Sequence, residues 1–230
     1  VFVSYLVIEP EKAVLFIEES KLTPAVSAYL ESIPVALRPY EKVGNYLRKE
    51  YFAYNILLDP NETNSCLVAY AREGNASVVM AESPVPMMKA VKNESEIQGF
   101  RNAMLRDGVA MVRFLKWLIP AVKEANETEI SLEKKLTSLR KAQPLYRSLS
   151  FGTIVGYEHH GAIVHYEATP ETDIPIEPRG LVLIDSGAQY QDGTTDITRT
   201  IALGPLTEEQ KRVYTLVLKG HIQLELARFT

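Results

Sequence analysis

The tract GLVLIDSGAQYQDGTTDITRTIALG, residues 180–204, constrains the fold more than any other stretch. Two apolar, β-branched runs flank an Asp-Gly turn signal, so the tract predicts a strand pair. It brings Asp185 to the end of the first run and presents Asp196, eleven residues on, from the second. A carboxylate entering a buried sheet is costly unless hydrogen bonds or a cation compensate it. Symmetric pairing about Tyr190 and Gln191 would set the two aspartates opposite each other, about 5 Å apart at Cβ. The Asp192-Gly193 signal is displaced from that midpoint, which predicts a bulge in the hairpin.

Two bare carboxylates at that separation repel, and they tolerate each other by sharing a proton or a divalent cation. Hard oxygen donors on adjacent strands suit Mn²⁺, Mg²⁺ or Zn²⁺, and a bridging carboxylate suits two ions about 3.5 to 4 Å apart. The competing reading is structural: Asp192 caps a turn, while Asp185 and Asp196 accept backbone N–H bonds or pair with Arg199. Spacing alone leaves both open. His165, in the strand-like run GAIVHYE, is the third candidate: if that strand lies beside the hairpin, its imidazole could hold a substrate carbonyl or move a proton near neutral pH. His159 and His160 are read as loop residues, because neighbours on an extended chain face opposite ways.

With 230 residues, 46% of them apolar, the chain can bury about 70% of its unfolded surface without a disulfide or metal. Net charge is −4 with both signs interspersed, which gives no field for nucleic acid or anionic lipid. Neither partner is expected. Cys66, the single cysteine, is expected to be a buried, inert thiol. No apolar run approaches the roughly 18 residues of a membrane span, and VFVSYLVIEP lacks the marks of a signal peptide. A first residue Val in mid-strand suggests an absent upstream part. Asn61, Asn75, Asn93 and Asn126 begin N-x-S/T triplets, which matter only in a secretory compartment. Asn93 has a local use as a helix cap, so a cytoplasmic address is favoured over secretion.

Along the chain, VFVSYLVI and AVLFIEE read as a strand pair about the turn EPEK, TPAVSAYLES and YEKVGNYLRKEYF as helices, and SCLVAYA and SVVMAES as further strands. ESPVPMMKAVKN breaks all periodicity and places a domain boundary near residue 86. This divides the chain into a small mixed α/β unit, 1–86, and a second unit, 87–230. There, Asn93 and Glu96 form a capping box, and Ile97, Phe100, Met104, Val109, Val112 and Leu115 mark the buried stripe of a helix reaching about Leu118. Ser131 starts a second helix ended by Pro144. Strands follow in GTIVG, GAIVHYE and the aspartate tract, and Thr207 caps a closing helix.

GAIVHYE, LVLIDSGAQYQDGTTDITRTIALG and YTLVLKGHI together closely resemble the aminopeptidase P (Xaa-Pro aminopeptidase) family of pita-bread metallopeptidases. KAVKNESEIQGFRNA resembles the entry into its catalytic domain, and VFVSYLVI its creatinase-like middle domain. The resemblance implies an α/β (α+β) fold in which a creatinase-like domain precedes the first half of a pita-bread domain. It implies that Asp185 chelates one of two divalent ions, Mn²⁺ or Zn²⁺, that Asp196 bridges both, and that His165 lies on the substrate side and contacts the peptide. The family's remaining ligands, one His and two Glu, belong to motifs expected beyond Thr230. Family chains tend to carry Pro-Asn before GAI, where His159-His160 stands here. The implied reaction is hydrolysis, by a water held between the ions, of the bond between an N-terminal residue and a following proline. The implied protein acts on peptides with proline in second position and is a homodimer. A prolidase cleaving X-Pro dipeptides is the nearest rival, and a metal-free pita-bread peptide-binding module the rival from another class.

Overall fold

The computed structural model describes residues 3–50, 54–124 and 126–229. The chain divides into two compact units, Val1–Val91 and Lys92–Thr230. In the first, β1 (Ser4–Ile8) and β2 (Ala13–Ile17) pair antiparallel about a turn closed by the Glu9 N–H on the Lys12 carbonyl. Val1 and Phe2, also read as strand, lie outside the described residues. Helix α1 (Pro24–Glu31) crosses to β3 (Val35–Pro39), which runs parallel to β2. Helix α2 (Val43–Glu50) follows, and β4 (Asn55–Leu58), α3 (Ser65–Glu73) and parallel β5 (Ser77–Met80) complete a second β-α-β step. Val14 and Phe16 of β2, Val43 and Leu47 of α2, and Leu67 of α3 share one core.

Three expectations fail here. SCLVAYA is helix α3, because Asn64 caps it by accepting the Leu67 N–H and because Leu67 and Ala71 bury at i, i+4. Cys66, on the other side of α3, is exposed. The proline-rich stretch holds the short helix α4 (Val85–Ala90), with proline in its first turn, where the missing N–H has no intrahelical partner to lose.

In the second unit, Asn93 and Glu96 make the expected reciprocal cap, 2.9 Å each way. Helix α5 (Glu94–Glu124) runs on past Leu118 and through Pro120. The ring forfeits one backbone bond there, and burial of Leu118 and Val122 holds the helix together. The buried stripe is not the expected one. It consists of Gly99, Ala103, Asp107, Ala110, Met111, Phe114, Leu118 and Val122, while Phe100, Met104, Val109 and Val112 are exposed. Small residues win this face because another backbone approaches it: a Cβ at Gly99 would collide with the Asp192 carbonyl oxygen.

Helix α6 (Glu129–Lys141) starts earlier than Ser131, because Thr128 is its N-cap and Ser131 the third residue of the capping box. The antiparallel strands that follow are β6 (Tyr146–Leu149), β7 (Ile154–Tyr157), β8 (Leu181–Ser186), β9 (Ala188–Tyr190), β10 (Gly193–Thr194) and β11 (Ile197–Ala202). They form two sheets, ordered β11-β8-β7 and β10-β9-β6. Helix α7 (Glu208–Leu226) follows, capped by Thr207 as expected.

Along β8, Val182 and Ile184 bury into the core shared with Phe114 and Leu118 of α5 and Leu132 and Leu136 of α6. Leu181, Leu183 and Asp185 point the other way and are only half-buried. Above the core, Arg140 of α6 grips Asp107 of α5 through Nε and Nη2, at 2.8 and 2.9 Å, and the Tyr190 hydroxyl of β9 donates to the same carboxylate at 3.1 Å. All three side chains are essentially inaccessible, and burial, with Asp107 beside it, pushes the Tyr190 phenol far above its ordinary pKa. Two residues thus supply three donors to this buried carboxyl group, which offsets the cost of its burial.

Candidate active site

The hairpin turns on Gln191 and Asp192, one residue later than the symmetric expectation. Tyr190 pairs with Gly193 and Gln189 with Thr194, and the same register continues through Ser186 with Ile197 to Leu181 with Ala202. The ladder gains no extra residue, so the bulge expected in this hairpin is absent; the register shift in the sheet lies between β6 and β9. Asp185 therefore opposes Thr198, not Asp196. Asp192 sets this register: it is held by the Arg106 guanidinium of α5, which also lies 5.2 Å from the Tyr190 ring centroid. The bond from Arg106 keeps the Asp192 carboxyl below its ordinary pKa.

Asp196 directly precedes β11, two residues before Thr198, and is exposed. The period of two puts it on the side of Thr198 and hence of Asp185, as a diagonal neighbour at about 7 to 8 Å between backbones. Thr198 Oγ1 donates to Asp185 Oδ1 at 2.7 Å, which fixes that carboxylate. Arg199 turns to the Thr198 carbonyl oxygen, 2.7 Å away, rather than to an aspartate. At Gly187, between β8 and β9, a Cβ would strike the Thr195 carbonyl oxygen and Ser150 Oγ, so the chain just after Asp185 and the chain just before Asp196 approach closely. Among the described residues, no three His, Cys, Asp or Glu side chains gather as a metal site. The donors present are two carboxylates on one face, a set that fits part of the coordination of a hard divalent ion.

His165 is not on a strand. Residues Glu158–Ala162 form a 3-10 helix, and the chain then turns, with His165 exposed at φ 56°. The β-branched pair Ile163-Val164 gives this run its strand-like pattern, but Gly161 packs back on Gly156, where a Cβ on either would crowd the other's backbone. Histidine is among the residues that accept the left-handed region. Gly161 also lies over Leu183, on the same side of the sheet as Asp185.

The loop is anchored by a residue the sequence pattern did not mark. Glu129, in the first turn of α6 and fully buried, accepts the Tyr157 N–H at 2.8 Å, the Tyr166 hydroxyl at 2.9 Å and His160 Nδ1 at 2.9 and 3.0 Å. Burial, and after it the bond to Glu129, raises the Tyr166 phenol pKa, against the bond with Thr172, which lowers it. A lone acid after an N-cap threonine looks like routine helix chemistry, and its three partners lie 28 to 37 residues away.

This face of the sheet and helix α7 border an open groove of about 750 Å³. Gly161, Leu181, Thr198 and Thr200 line one side, and Val213, Tyr214, Val217, Leu218 and His221 the other. No described helix is long and apolar enough to cross a membrane.

The chain is 41% identical over its whole length to Xaa-Pro aminopeptidase 1 of Dictyostelium discoideum and 34% identical to aminopeptidase P2 of Arabidopsis thaliana. It spans 36% of each relative's length. The solved X-prolyl aminopeptidase of Caenorhabditis elegans, described as a cytosolic enzyme with a di-nuclear active site, superposes with a TM-score of 0.85 at 36% identity, over 96% of this chain and 37% of that one. The pita-bread arrangement with a preceding creatinase-like domain is thus the fold of this chain. Residues 1–96 match the creatinase/prolidase N-terminal domain and residues 98–228 match metallopeptidase family M24, to which the chain belongs.

Proposed function

We propose that this chain forms part of a dinuclear metallo-aminopeptidase that releases the amino acid ahead of an N-terminal X-Pro bond. The observation that carries this reading is the pairing of Asp185 with Thr198 in the β8–β11 ladder, with Asp196 two residues before Thr198, in a chain so close to Xaa-Pro aminopeptidases along its whole length. Asp185, oriented by Thr198, would chelate one ion with both oxygens, and Asp196 would bridge. When bound, two divalent ions, Mn²⁺ or Zn²⁺, would supply an acidified water and polarise the scissile carbonyl. His165, exposed on the loop over that face, would hydrogen-bond the peptide beside the reacting carbonyl.

The substrate is a peptide with proline in second position. The names borne by the 41%- and 36%-identical relatives favour an aminopeptidase over a prolidase. Retention of both aspartates speaks against a metal-free binding module. A cytoplasmic address is supported by the worm relative's description. The units proposed for this work are 1–86 as the non-catalytic domain and 87–230 as catalytic.

In the complete, metal-loaded protein, Asp196→Asn is expected to abolish hydrolysis of an X-Pro peptide and leave the circular dichroism spectrum unchanged. Undiminished turnover would remove the ligand role.

A further inference from the structure

The geometry points to His160 as a positioning residue for His165, acting through the buried carboxylate of Glu129. This rests on the reading of His165 as the group that meets substrate. The His165 segment is tied at its two ends to one acid: the Tyr157 N–H and His160 Nδ1 reach Glu129 before the turn, and the Tyr166 hydroxyl reaches it directly after His165. Glu129 is wholly inaccessible, and the His160 side chain is 12% exposed. The two anchors also touch each other, since the His160 and Tyr166 rings stack at 4.3 Å and 29°. Between them, Ile163 and Val164 are exposed, so the turn has little core of its own.

Among the described residues, the backbone bonds closing the turn are Ile163 N–H to the His160 carbonyl at 3.1 Å and Tyr166 N–H to the Ile163 carbonyl at 3.3 Å. His165, at φ 56°, holds a backbone conformation that a freed loop would leave. An ionised carboxylate accepts only, so Nδ1 of His160 carries the hydrogen and the ring acts here as a donor. Removing it leaves Glu129 one partner short and Tyr166 without its stacked ring. The imidazole of His165 then samples orientations away from the reacting carbonyl, and misplacement by about 1 Å lowers rates by about 100-fold.

In the complete, metal-loaded protein, His160→Ala is expected to lower kcat and kcat/KM together by about 100-fold, with KM unchanged. His160→Asn keeps an N–H within reach of Glu129 and should recover most of the rate. His160→Ala added to His165→Ala should cost nothing further, because the first acts only through the second. A fully additive loss would show His160 to be merely structural and overturn the inference. A readout independent of turnover follows the same loop: hydrogen exchange at the Ile163 and Tyr166 amides should accelerate about tenfold or more in His160→Ala, and in Glu129→Gln should that variant be the better folded. Unchanged exchange overturns the clamp whatever the kinetics. A wild-type protein inert toward X-Pro peptides, or an undiminished His165→Ala, would instead sink the functional reading and the positioning role with it.

Discussion

Asp192 stands at the hairpin tip, where the Arg106 guanidinium holds its carboxyl below the ordinary range. The native state binds that proton less tightly than the unfolded chain does. Its contribution to stability is therefore full above the unfolded value, near pH 4, and is lost as pH falls through the lower native value. Thermal melts should show Asp192→Asn less stable than the wild type by a constant margin between about pH 5 and 7, with the margin closing below about pH 4. A margin that persists into acid would mean the ion pair is not what the substitution removes. At this scale the sequence was readable at the Asp192 turn, but it set Asp185 opposite Asp196, where the register pairs Asp185 with Thr198. It was silent on Glu129, Asp107 and Arg140, whose partners lie on other elements, so that no local pattern records them.

Helix α5 shows what periodicity conveys and what it leaves out. Its cap at Asn93 was legible, but the helix runs six residues past the expected end at Leu118, and the stripe of large apolar residues named the wrong face. Apolar size is a poor guide where a hairpin backbone lies flat against a helix, because contact then requires small residues rather than large ones. Two glycines on this helix should respond oppositely to alanine. Gly99→Ala is expected to destabilise by about 1 to 3 kcal/mol, since the new methyl meets the Asp192 carbonyl oxygen. Gly108→Ala, with open space around it, should stabilise by about 0.5 to 1 kcal/mol. Urea denaturation reads both, and equal shifts would refute the close approach. The same limit explains α3 and the His165 loop. Short apolar runs fit either period, and their caps and long-range anchors decide between them.

Over the whole molecule the caps of α5 and α7 follow from sequence, whereas helix α7 shows a property that does not. None of its residues is buried, and Val217 and Leu224 are each 67% exposed. An apolar stripe of this length favours association. The 230-residue chain on its own is expected to self-associate with rising concentration in light scattering, and Val217→Lys with Leu224→Lys to restore a monomer. Concentration-independent scattering by the unsubstituted chain would rule this out. The knot of Asp107, Arg140 and Tyr190 works in the other direction. It is closed by side chains of α5, α6 and β9 alone, and neither Asp185 nor Asp196 takes part in it. The acids are thus displayed by a frame that is rigid before any cation arrives, so loading the ions need not drive folding, and an apoprotein should keep its shape when chelators strip it.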